Sequence, residues 1–238
     1  MPKFSIITVS KNPGPGICRT LESVKKQVFR DFEFLVVDGN STDGSQTKYE
    51  EYNQIIDTFI CEDDQGIYQA MNKGIIQAAG DYIMFLNSGD HFATDYSLFA
   101  ADKHLQEGQL IDVMYGKVIW VDVFNKSIIA TKHEHIHKKM DLAKDNYPHC
   151  ASFYHREAFN KYGLFNEDLK VYADYEWNLN ALLLHDAPFA YRDLIVSTFY
   201  TGGISTNESF ADLRNLEKNM IIRKYFSKKV RGELNRIY

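Results

Sequence analysis

Short apolar runs alternate with helix-like segments over the first ninety residues, and this alternation constrains the fold more than any other feature. The strand-like runs are residues 4–9, 32–37, 58–61 and 82–86. Apolar residues on one helical face follow the first run at Ile17, Leu21, Val24 and Val28. A second helical pattern covers residues 67–79. Strands alternating with helices predict a parallel sheet in an α/β fold with three layers, α/β/α.

Polar residues stand at the carboxyl ends of the predicted strands. In parallel α/β sheets, ligands bind beyond these ends, where side chains from separate strands meet. We therefore expect one binding site to collect them. The residues concerned are Thr8, Ser10, Asp38, Asn87 and Asp90.

The pattern changes after residue 111. Two predicted strands, 113–123 and 128–131, follow each other without an intervening helix, and a polar stretch leads to about residue 147. Four further elements are predicted. These are helices at 156–162 and 172–184, a strand at 190–200, and a closing helix from 206 to about 225.

The composition excludes several classes of protein. No stretch approaches the roughly 20 apolar residues of a membrane-spanning helix, and the first residues lack a signal-peptide pattern. The odd number of widely spaced cysteines indicates neither a disulfide framework nor a zinc site. We expect a protein of the reducing cytoplasm.

The charge is unevenly distributed along the chain. Six basic residues against Glu233 give the last twenty residues a charge of +5, which leaves -10 on the rest of a chain with a net charge of -5. Because nucleic-acid affinity rests mainly on cationic contacts to phosphates, an acidic body argues against nucleic acid as a partner.

The basic tail has its own pattern. Apolar residues recur every four positions at Ile222, Phe226, Val230 and Leu234. Such an amphipathic basic helix is typical of contact with an anionic membrane surface. The alternative is that this stripe packs on its own domain.

The glycine- and Asx-rich loop 38–45 follows a buried strand. The Asp38 carboxylate could accept hydrogen bonds from a nucleobase or a ribose, and glycines allow close backbone approach. The alternative is an ordinary turn that caps the next helix.

A second loop, 87–90, offers an amide and the carboxylate of Asp90. Oxygen ligands of this kind suit Mg²⁺ or Mn²⁺ that bridges two phosphates. The alternative is again a turn, since the residues of this loop are typical of turns.

Four segments in this order and spacing carry a specific resemblance. They are residues 5–10, 34–45, 66–74 and 80–87, with the sequences SIITVS, FLVVDGNSTDGS, GIYQAMNKG and GDYIMFLN. Together they resemble the successive signatures of family 2 glycosyltransferases. The resemblance covers residues 3–92 well and continues more loosely to about 205.

The resemblance implies a GT-A fold, in which a Rossmann-like nucleotide-binding sheet is fused to an acceptor-binding half. It implies a nucleotide-binding half at 1–92 and an acceptor-binding half at 93–205 of one catalytic domain. Residues 206–238 would form a helical basic extension.

The resemblance also implies roles for single residues in binding a sugar nucleotide, with UDP as the expected carrier. Thr8, Asp38 and Asp64 would hold the nucleoside, and Asn72 would lie near the donor. Ser10, Asn87 and Gly89 complete the expected donor contacts. The family's metal-binding Asp-x-Asp appears here as Asn87-Ser88-Gly89-Asp90, which leaves Asp90 as the lone carboxylate for Mg²⁺ or Mn²⁺.

The run 171–177 is similar to the acceptor-side motif that carries the family's catalytic base, which points to Asp174. An inverting transfer needs a carboxylate to take the proton of the attacking hydroxyl. The alternative is a carboxylate that offsets the dipole of a helix N-terminus, with Glu176 as an equally placed competitor.

Three smaller features are noted. His133, His135 and His137 alternate and could imitate a metal site, but their polar, lysine-containing surroundings favour a solvated loop. His149 is an expected acceptor contact. Residues 201–205 match a loop that closes over the diphosphate in similar enzymes, or a simple turn.

The resemblance implies an inverting glycosyltransferase that acts on a saccharide or lipid-linked saccharide, with bacterial surface polysaccharide synthesis, such as that of lipopolysaccharide, as the expected setting. It would work in the cytoplasm or at the inner face of the membrane. Two alternatives remain. A sugar nucleotidyltransferase would need a glycine-rich phosphate loop, which residues 11–16 resemble only faintly, and a non-catalytic sugar-nucleotide or glycan-binding protein would explain the weakened acidic motif.

Overall fold

The computed structural model describes residues 1–106, 111–123, 127–132, 141–143 and 145–234. Within these ranges, nine strands form one mixed sheet. The strands are β1 (Phe4–Ser10), β2 (Phe32–Asp38), β3 (Thr58–Cys61), β4 (Tyr82–Phe85), β5 (His91–Phe92), β6 (Val113–Asp122), β7 (Ser127–Lys132), β8 (Ser152–His155) and β9 (Phe189–Tyr200).

Eight α-helices accompany these strands in the described ranges. They are α1 (Gly16–Lys25), α2 (Gln46–Glu51), α3 (Ile67–Gln77), α4 (Ser97–Leu105), α5 (Arg156–Tyr162), α6 (Ala173–Leu179), α7 (Ala211–Tyr225) and α8 (Lys228–Leu234). A π-helical turn, Asn180–Leu184, continues directly from α6.

The sheet has a parallel half and a mixed half. Strands β3, β2, β1 and β4 lie side by side in parallel, as the alternating pattern predicts. Strand β8 then pairs antiparallel with both β4 and β6, and β6 pairs parallel with β9. Because β1, β2 and β4 run in the same direction, the polar residues at their carboxyl ends are brought to one edge.

Helices cover both faces of the sheet. Successive side chains of a strand point to opposite faces, and accordingly Ile7 and Val9 join one buried cluster whereas Phe4 and Ile6 join another. The first cluster includes residues of α3, α5, α6 and α7, and the second includes residues of α1 and α4. The predicted three-layer α/β/α arrangement is therefore confirmed.

Several elements differ from the sequence predictions. Helix α1 ends at Lys25, so Val28 lies outside it and is 46% exposed. Helices α2 and α4 and the short strands β5 and β8 were not predicted, because six- to nine-residue helices and two- to four-residue strands carry little periodicity. The predicted helix at 172–184 changes to π geometry at Asn180.

The basic tail is not one continuous amphipathic helix. Helix α7 ends at Tyr225, and the extended backbone of Phe226 separates it from α8. Phe226 is 8% exposed within a core cluster, and Ile222 and Val230 pack against that cluster. These three residues of the stripe therefore pack on their own domain, as the alternative interpretation proposed. Within the described ranges, none of the helices has the length and apolar character needed to cross a membrane.

Candidate active site

A cavity of about 790 Å³ opens at the carboxyl ends of β1 and β4. Its walls are drawn from the segments 9–13, 64–71, 87–90 and 199–205, from the start of α1, and from Val123, His149, Lys170, Val171 and Phe210. We call this cavity the cleft. Of the predicted site residues, those that line it are Ser10, Asp64, Asn87, Gly89 and Asp90.

Asp38 lies behind the cleft wall rather than in it. The residue is fully buried, and its carboxylate accepts hydrogen bonds from the backbone N–H of Ser41 (2.6 Å), the Ser41 hydroxyl (2.7 Å) and the Ser10 hydroxyl (2.9 Å). The predicted contact between Asp38 and a nucleoside therefore has no direct support in the geometry. Asp38 instead holds the turn that follows β2, as the turn interpretation proposed.

Asp64 is the acidic residue that approaches the end of β2 from the cleft side. Its Oδ1 accepts the N–H of Gly66 at 3.0 Å, and its Oδ2 packs against Gly39. A Cβ atom built on Gly39 would lie 2.1 Å from that oxygen, so a side chain at this position would displace Asp64. Glycine at position 39 therefore allows Asp64 to occupy this place.

Thr8 and Asn72 point into the protein. The Thr8 hydroxyl donates to the carbonyl oxygen of Leu86 at 2.6 Å and joins β1 to the end of β4. Asn72 donates to the carbonyl oxygen of Phe165 (2.9 Å) and accepts from the N–H of the same residue (3.0 Å). Neither residue lines the cleft, so the sequence-based placement of both against a donor is not reproduced.

Asp90 is held at the cleft by neighbours from two other elements. Its carboxylate accepts the N–H of Tyr200 at 3.2 Å. The Thr20 hydroxyl donates to the carbonyl oxygen of Asp90 (2.6 Å) and accepts the N–H of Gly89 (2.9 Å). Gly89 has φ +99°, in the left-handed region that favours glycine, and a Cβ there would meet nothing within 4 Å. The loop therefore presents Asp90 beside open space.

Burial raises the pKa of Asp90 from 3.8 to about 7, although the Tyr200 N–H and the positive charges of His149 and Arg19 oppose the rise. Asp90 is the one carboxylate of its loop, and no group of three or more His, Cys, Asp or Glu residues suited to a metal occurs in the part of the chain that the structure describes. A hard cation would therefore need oxygen atoms from a bound ligand as well as from Asp90.

We expect Asp90→Asn to stabilise the metal-free protein at alkaline pH. Because the pKa of Asp90 is raised in the fold, the unfolded chain releases this proton first, and stability falls as pH rises from 3.8 to about 7. The advantage of the variant should grow by about 2–3 kcal/mol between pH 5 and pH 8.5. Urea unfolding in EDTA measures the free energy of unfolding of both proteins at each pH, and the variant Asp95→Asn, at an exposed position, is the control. A stability advantage that does not change with pH would contradict the prediction.

Asp174 lies at the start of α6 in a cluster of polar partners. The residue is 5% exposed and does not line the cleft. Its Oδ1 is 2.9 Å from the Tyr68 hydroxyl, and its Oδ2 is 2.8 Å from Asn146 Nδ2 and 3.3 Å from His149 Nδ1. Tyr68 and His149 do line the cleft, so they stand between Asp174 and the space that a ligand would occupy.

His149 connects the two predicted acidic centres. Its Nε2 is 3.1 Å from Asn87 Nδ2, on the loop of Asp90, and its Nδ1 faces Asp174. Burial by itself would lower the pKa of His149, but the hydrogen bond to Asp174 and the charges of Asp174 and Asp90 together raise it above 6.5. The imidazole is therefore placed to accept a proton from the cleft while Asp174 stabilises its charged form.

Glu217 is a site residue that the sequence analysis missed. This buried carboxylate of α7 accepts the backbone N–H groups of Lys170 (2.7 Å), Val171 (2.9 Å) and Tyr172 (3.1 Å). These residues lead directly into α6 and Asp174. The pattern of α7 contains no signal for this contact, because it joins segments 45 to 47 residues apart.

The remaining predictions have mixed outcomes. Thr201, Gly203, Ile204 and Ser205 line the cleft, so the loop predicted to close over a diphosphate lies next to the loop of Asp90. His133, His135 and His137 lie outside the described residues. Glu176, the competitor of Asp174, instead accepts hydrogen bonds from Lys224 (2.5 Å) and Tyr225 (2.9 Å).

Comparisons with known proteins agree with this architecture. The family model described as glycosyl transferase family 2 matches residues 5–163. An uncharacterized glycosyltransferase of Mycobacterium tuberculosis is 30% identical over 224 residues, which is 90% of this chain and 83% of that protein. A PGL/p-HBAD biosynthesis glycosyltransferase of Mycobacterium bovis is 28% identical over 215 residues, 86% of this chain and 79% of that protein.

Solved structures share the fold at lower sequence identity. S. aureus TarS 1-349 in complex with UDP-GlcNAc superimposes with a TM-score of 0.70 and 20% identity, and covers 96% of this chain and 69% of that chain. The mannosyltransferase PcManGT from Pyrobaculum calidifontis, in complex with GDP-Man and Mn²⁺, has a TM-score of 0.64 and 17% identity, and covers 83% and 56%. The matched family model, the curated relatives and the shared GT-A fold lead to one conclusion: the chain belongs to glycosyl transferase family 2 and is a glycosyltransferase.

Proposed function

We propose that this enzyme transfers a sugar from a nucleoside diphosphate donor, with UDP as the carrier, to a hydroxyl of a saccharide acceptor with inversion at the anomeric carbon. The observation that carries the proposal is one cleft in which the carboxylate of Asp90 and the imidazole of His149, backed by Asp174, are collected. Such a transfer must stabilise the negative charge on the departing diphosphate, and it must accept the proton of the attacking hydroxyl.

The donor would occupy the side of the cleft formed by β1 and the loop 87–90. Asp64 offers a carboxylate near the end of β2, where a nucleoside would bind, and Ser10 lines the end of β1 while its hydroxyl bonds Asp38. Gly89 leaves open space beside Asp90 for a diphosphate. The UDP carrier follows from the family resemblance and agrees with TarS, which was solved with UDP-GlcNAc.

Asp90 would hold a divalent cation, Mg²⁺ or Mn²⁺, together with oxygen atoms of the donor. One carboxylate beside open space fits a cation that shares its ligands with a diphosphate, since hard cations take oxygen ligands. When bound, the cation would neutralise charge on the departing diphosphate. The proposed ion is consistent with the Mn²⁺ bound to the mannosyltransferase of the same fold.

The acceptor hydroxyl would lose its proton to His149 Nε2. Asp174, the base that the family resemblance indicates, would hold the Nδ1–H of that ring and stabilise the imidazolium, while Tyr68 and Asn146 fix the carboxylate. In the free enzyme Asn87 Nδ2 contacts Nε2, so the acceptor hydroxyl would replace the Asn87 contact. This assignment keeps Asp174 essential although it does not line the cleft.

The proposed biological setting follows from the acceptor class. Bacterial surface polysaccharide synthesis on a lipid-linked saccharide, in the cytoplasm and at the inner face of the membrane, would suit the acceptor class. The exposed cations Arg223, Lys228 and Lys229 remain available to an anionic surface at about 1 kcal/mol each. Ile222, Phe226 and Val230 of the tail do not contribute, because they pack inward.

The test is slow hydrolysis of UDP-, GDP- and dTDP-sugars with Mn²⁺ or EDTA, comparing the native enzyme with Asp90→Ala. We expect metal-stimulated release of one nucleoside diphosphate, with the stimulation by metal lost in the variant. Release of inorganic pyrophosphate from a nucleoside triphosphate and a sugar phosphate would indicate a nucleotidyltransferase instead. Donor binding without turnover, even with saccharide acceptors, would indicate a non-catalytic binding protein and overturn the proposal.

A further inference from the structure

The loop of Asp90 has few ligands for a cation that would neutralise a diphosphate. Where other acidic positions would stand, it has Asn87 and Gly89, which leaves Asp90 as its single carboxylate. A cation held by one protein carboxylate is bound weakly in the absence of ligand oxygens. A second positive group fixed beside the loop would therefore strengthen diphosphate binding.

Arg19 is fixed in that place by two contacts. It lies in the first turns of α1 and lines the cleft. Its Nε donates to the carbonyl oxygen of Gly89 at 3.0 Å, and its guanidinium carbon lies 3.7 Å from the centre of the Tyr200 ring. Stacking on an aromatic face and a hydrogen bond at Nε together hold the planar guanidinium in one orientation.

The same neighbours position Asp90. Tyr200, whose ring supports Arg19, donates its N–H to the Asp90 carboxylate. Thr20, the residue after Arg19, bonds the backbone of both Gly89 and Asp90 through its hydroxyl. Arg19 and Asp90 are therefore held by one rigid frame, with the open space beside Gly89 next to both.

Arg19 keeps its remaining donors for a ligand. Only its Nε is used, and in the described ranges no protein acceptor takes the N–H groups of its two Nη atoms. Lys170, another cation of the cleft, is committed to the carbonyl oxygens of Gln65 (3.0 Å) and Glu167 (3.2 Å). A guanidinium with free paired donors matches the oxygens of a phosphate.

We propose that Arg19 binds the diphosphate of the donor and stabilises its charge as the sugar departs, which supplements the single carboxylate of Asp90. The proposal rests on the proposed function, because it needs a nucleoside diphosphate in the cleft. The negative charge that develops on the leaving oxygen is stabilised most by donors already fixed in place.

Binding measurements separate this role from nucleoside recognition. Titration calorimetry in EDTA compares UDP, GDP and dTDP with uridine, guanosine and thymidine on the native enzyme, Arg19→Ala and Arg19→Lys. Arg30→Ala is the control, since Arg30 is an exposed arginine outside the cleft that contacts the Lys25 carbonyl oxygen. Circular dichroism melting checks that each variant is folded.

We expect Arg19→Ala to weaken the tightest-binding nucleoside diphosphate by about 10- to 100-fold and to leave its nucleoside unchanged. Arg19→Lys should recover part of the loss, because it keeps the charge without the paired donors. Arg30→Ala should bind as the native enzyme does. Native diphosphate affinity in Arg19→Ala would overturn the inference alone, whereas no diphosphate binding by the native enzyme, even with Mn²⁺ in place of EDTA, would overturn the proposed function and this inference with it.

Discussion

The Asp174→Asn variant is expected to transfer sugar about 10²–10⁴-fold more slowly than the native enzyme, the range that a general base contributes. Asparagine keeps the size of the side chain but cannot stabilise an imidazolium at His149, whose Nδ1 lies 3.3 Å from the carboxylate. Donor affinity should change little, because Asp174 does not line the cleft. Initial rates at saturating donor and acceptor measure the effect, with binding of the nucleoside diphosphate as the control.

His149→Gln distinguishes transfer of the proton through the imidazole from direct action of Asp174. If His149 accepts the proton, the transfer rate of this variant should fall by a comparable factor. The native rate should also fall as pH drops through the pKa of His149, which is raised above 6.5, because the protonated ring cannot accept a proton. That dependence should be absent from His149→Gln at saturating metal and donor, since the pKa of Asp90, about 7, would otherwise add a fall of its own. A nearly native rate in His149→Gln, with a large loss in Asp174→Asn, would assign the base role to Asp174 alone.

Glu217→Ala is expected to lower the free energy of unfolding by about 3 kcal/mol or more, since each unsatisfied buried donor costs about 1–3 kcal/mol. The carboxylate satisfies three successive backbone N–H groups, those of Lys170, Val171 and Tyr172, and alanine would leave all of them without this partner. Urea unfolding measures the loss. Glu208→Ala, which removes an exposed acidic side chain just before α7, is the matched control.

The Glu217→Gln variant adds a functional readout to this prediction. Glutamine keeps one acceptor oxygen but turns an NH₂ group toward backbone donors, so the segment before Asp174 should shift. At temperatures where this variant remains folded, we expect the transfer rate to fall while nucleoside diphosphate affinity is preserved. A stability loss below about 1 kcal/mol in Glu217→Ala would show that water replaces the carboxylate at little cost.

The sheet and the position of the cleft could be predicted from the sequence. The apolar runs that became β1, β2 and β4 are buried on both faces, and their polar ends meet at one edge because parallel strands share a direction. For the same reason, Ser10, Asn87 and Asp90 line one cleft, and their contact with a donor stays a prediction. The hydrophobic pattern of a segment is sufficient to predict its structure where the whole strand is buried.

The direction of individual side chains was decided by tertiary packing. Asp38 and Asn72 stand at the predicted positions, but each found its partners inside the protein, since the buried N–H groups of Ser41 and Phe165 require acceptors. The sequence pattern could not distinguish a carboxylate that satisfies its own loop from one that faces a ligand.

The sequence alone therefore determined the α/β architecture, the edge of the sheet at which the cleft opens, and the acidic residues near it. Only the tertiary structure brought Arg19 against Gly89 and Tyr200, placed His149 in front of Asp174, and set Glu217 under the segment that leads to it. These contacts join residues 25 to 181 positions apart. Strand and helix periodicity reports which face of an element is buried, whereas such contacts depend on how separate elements pack together.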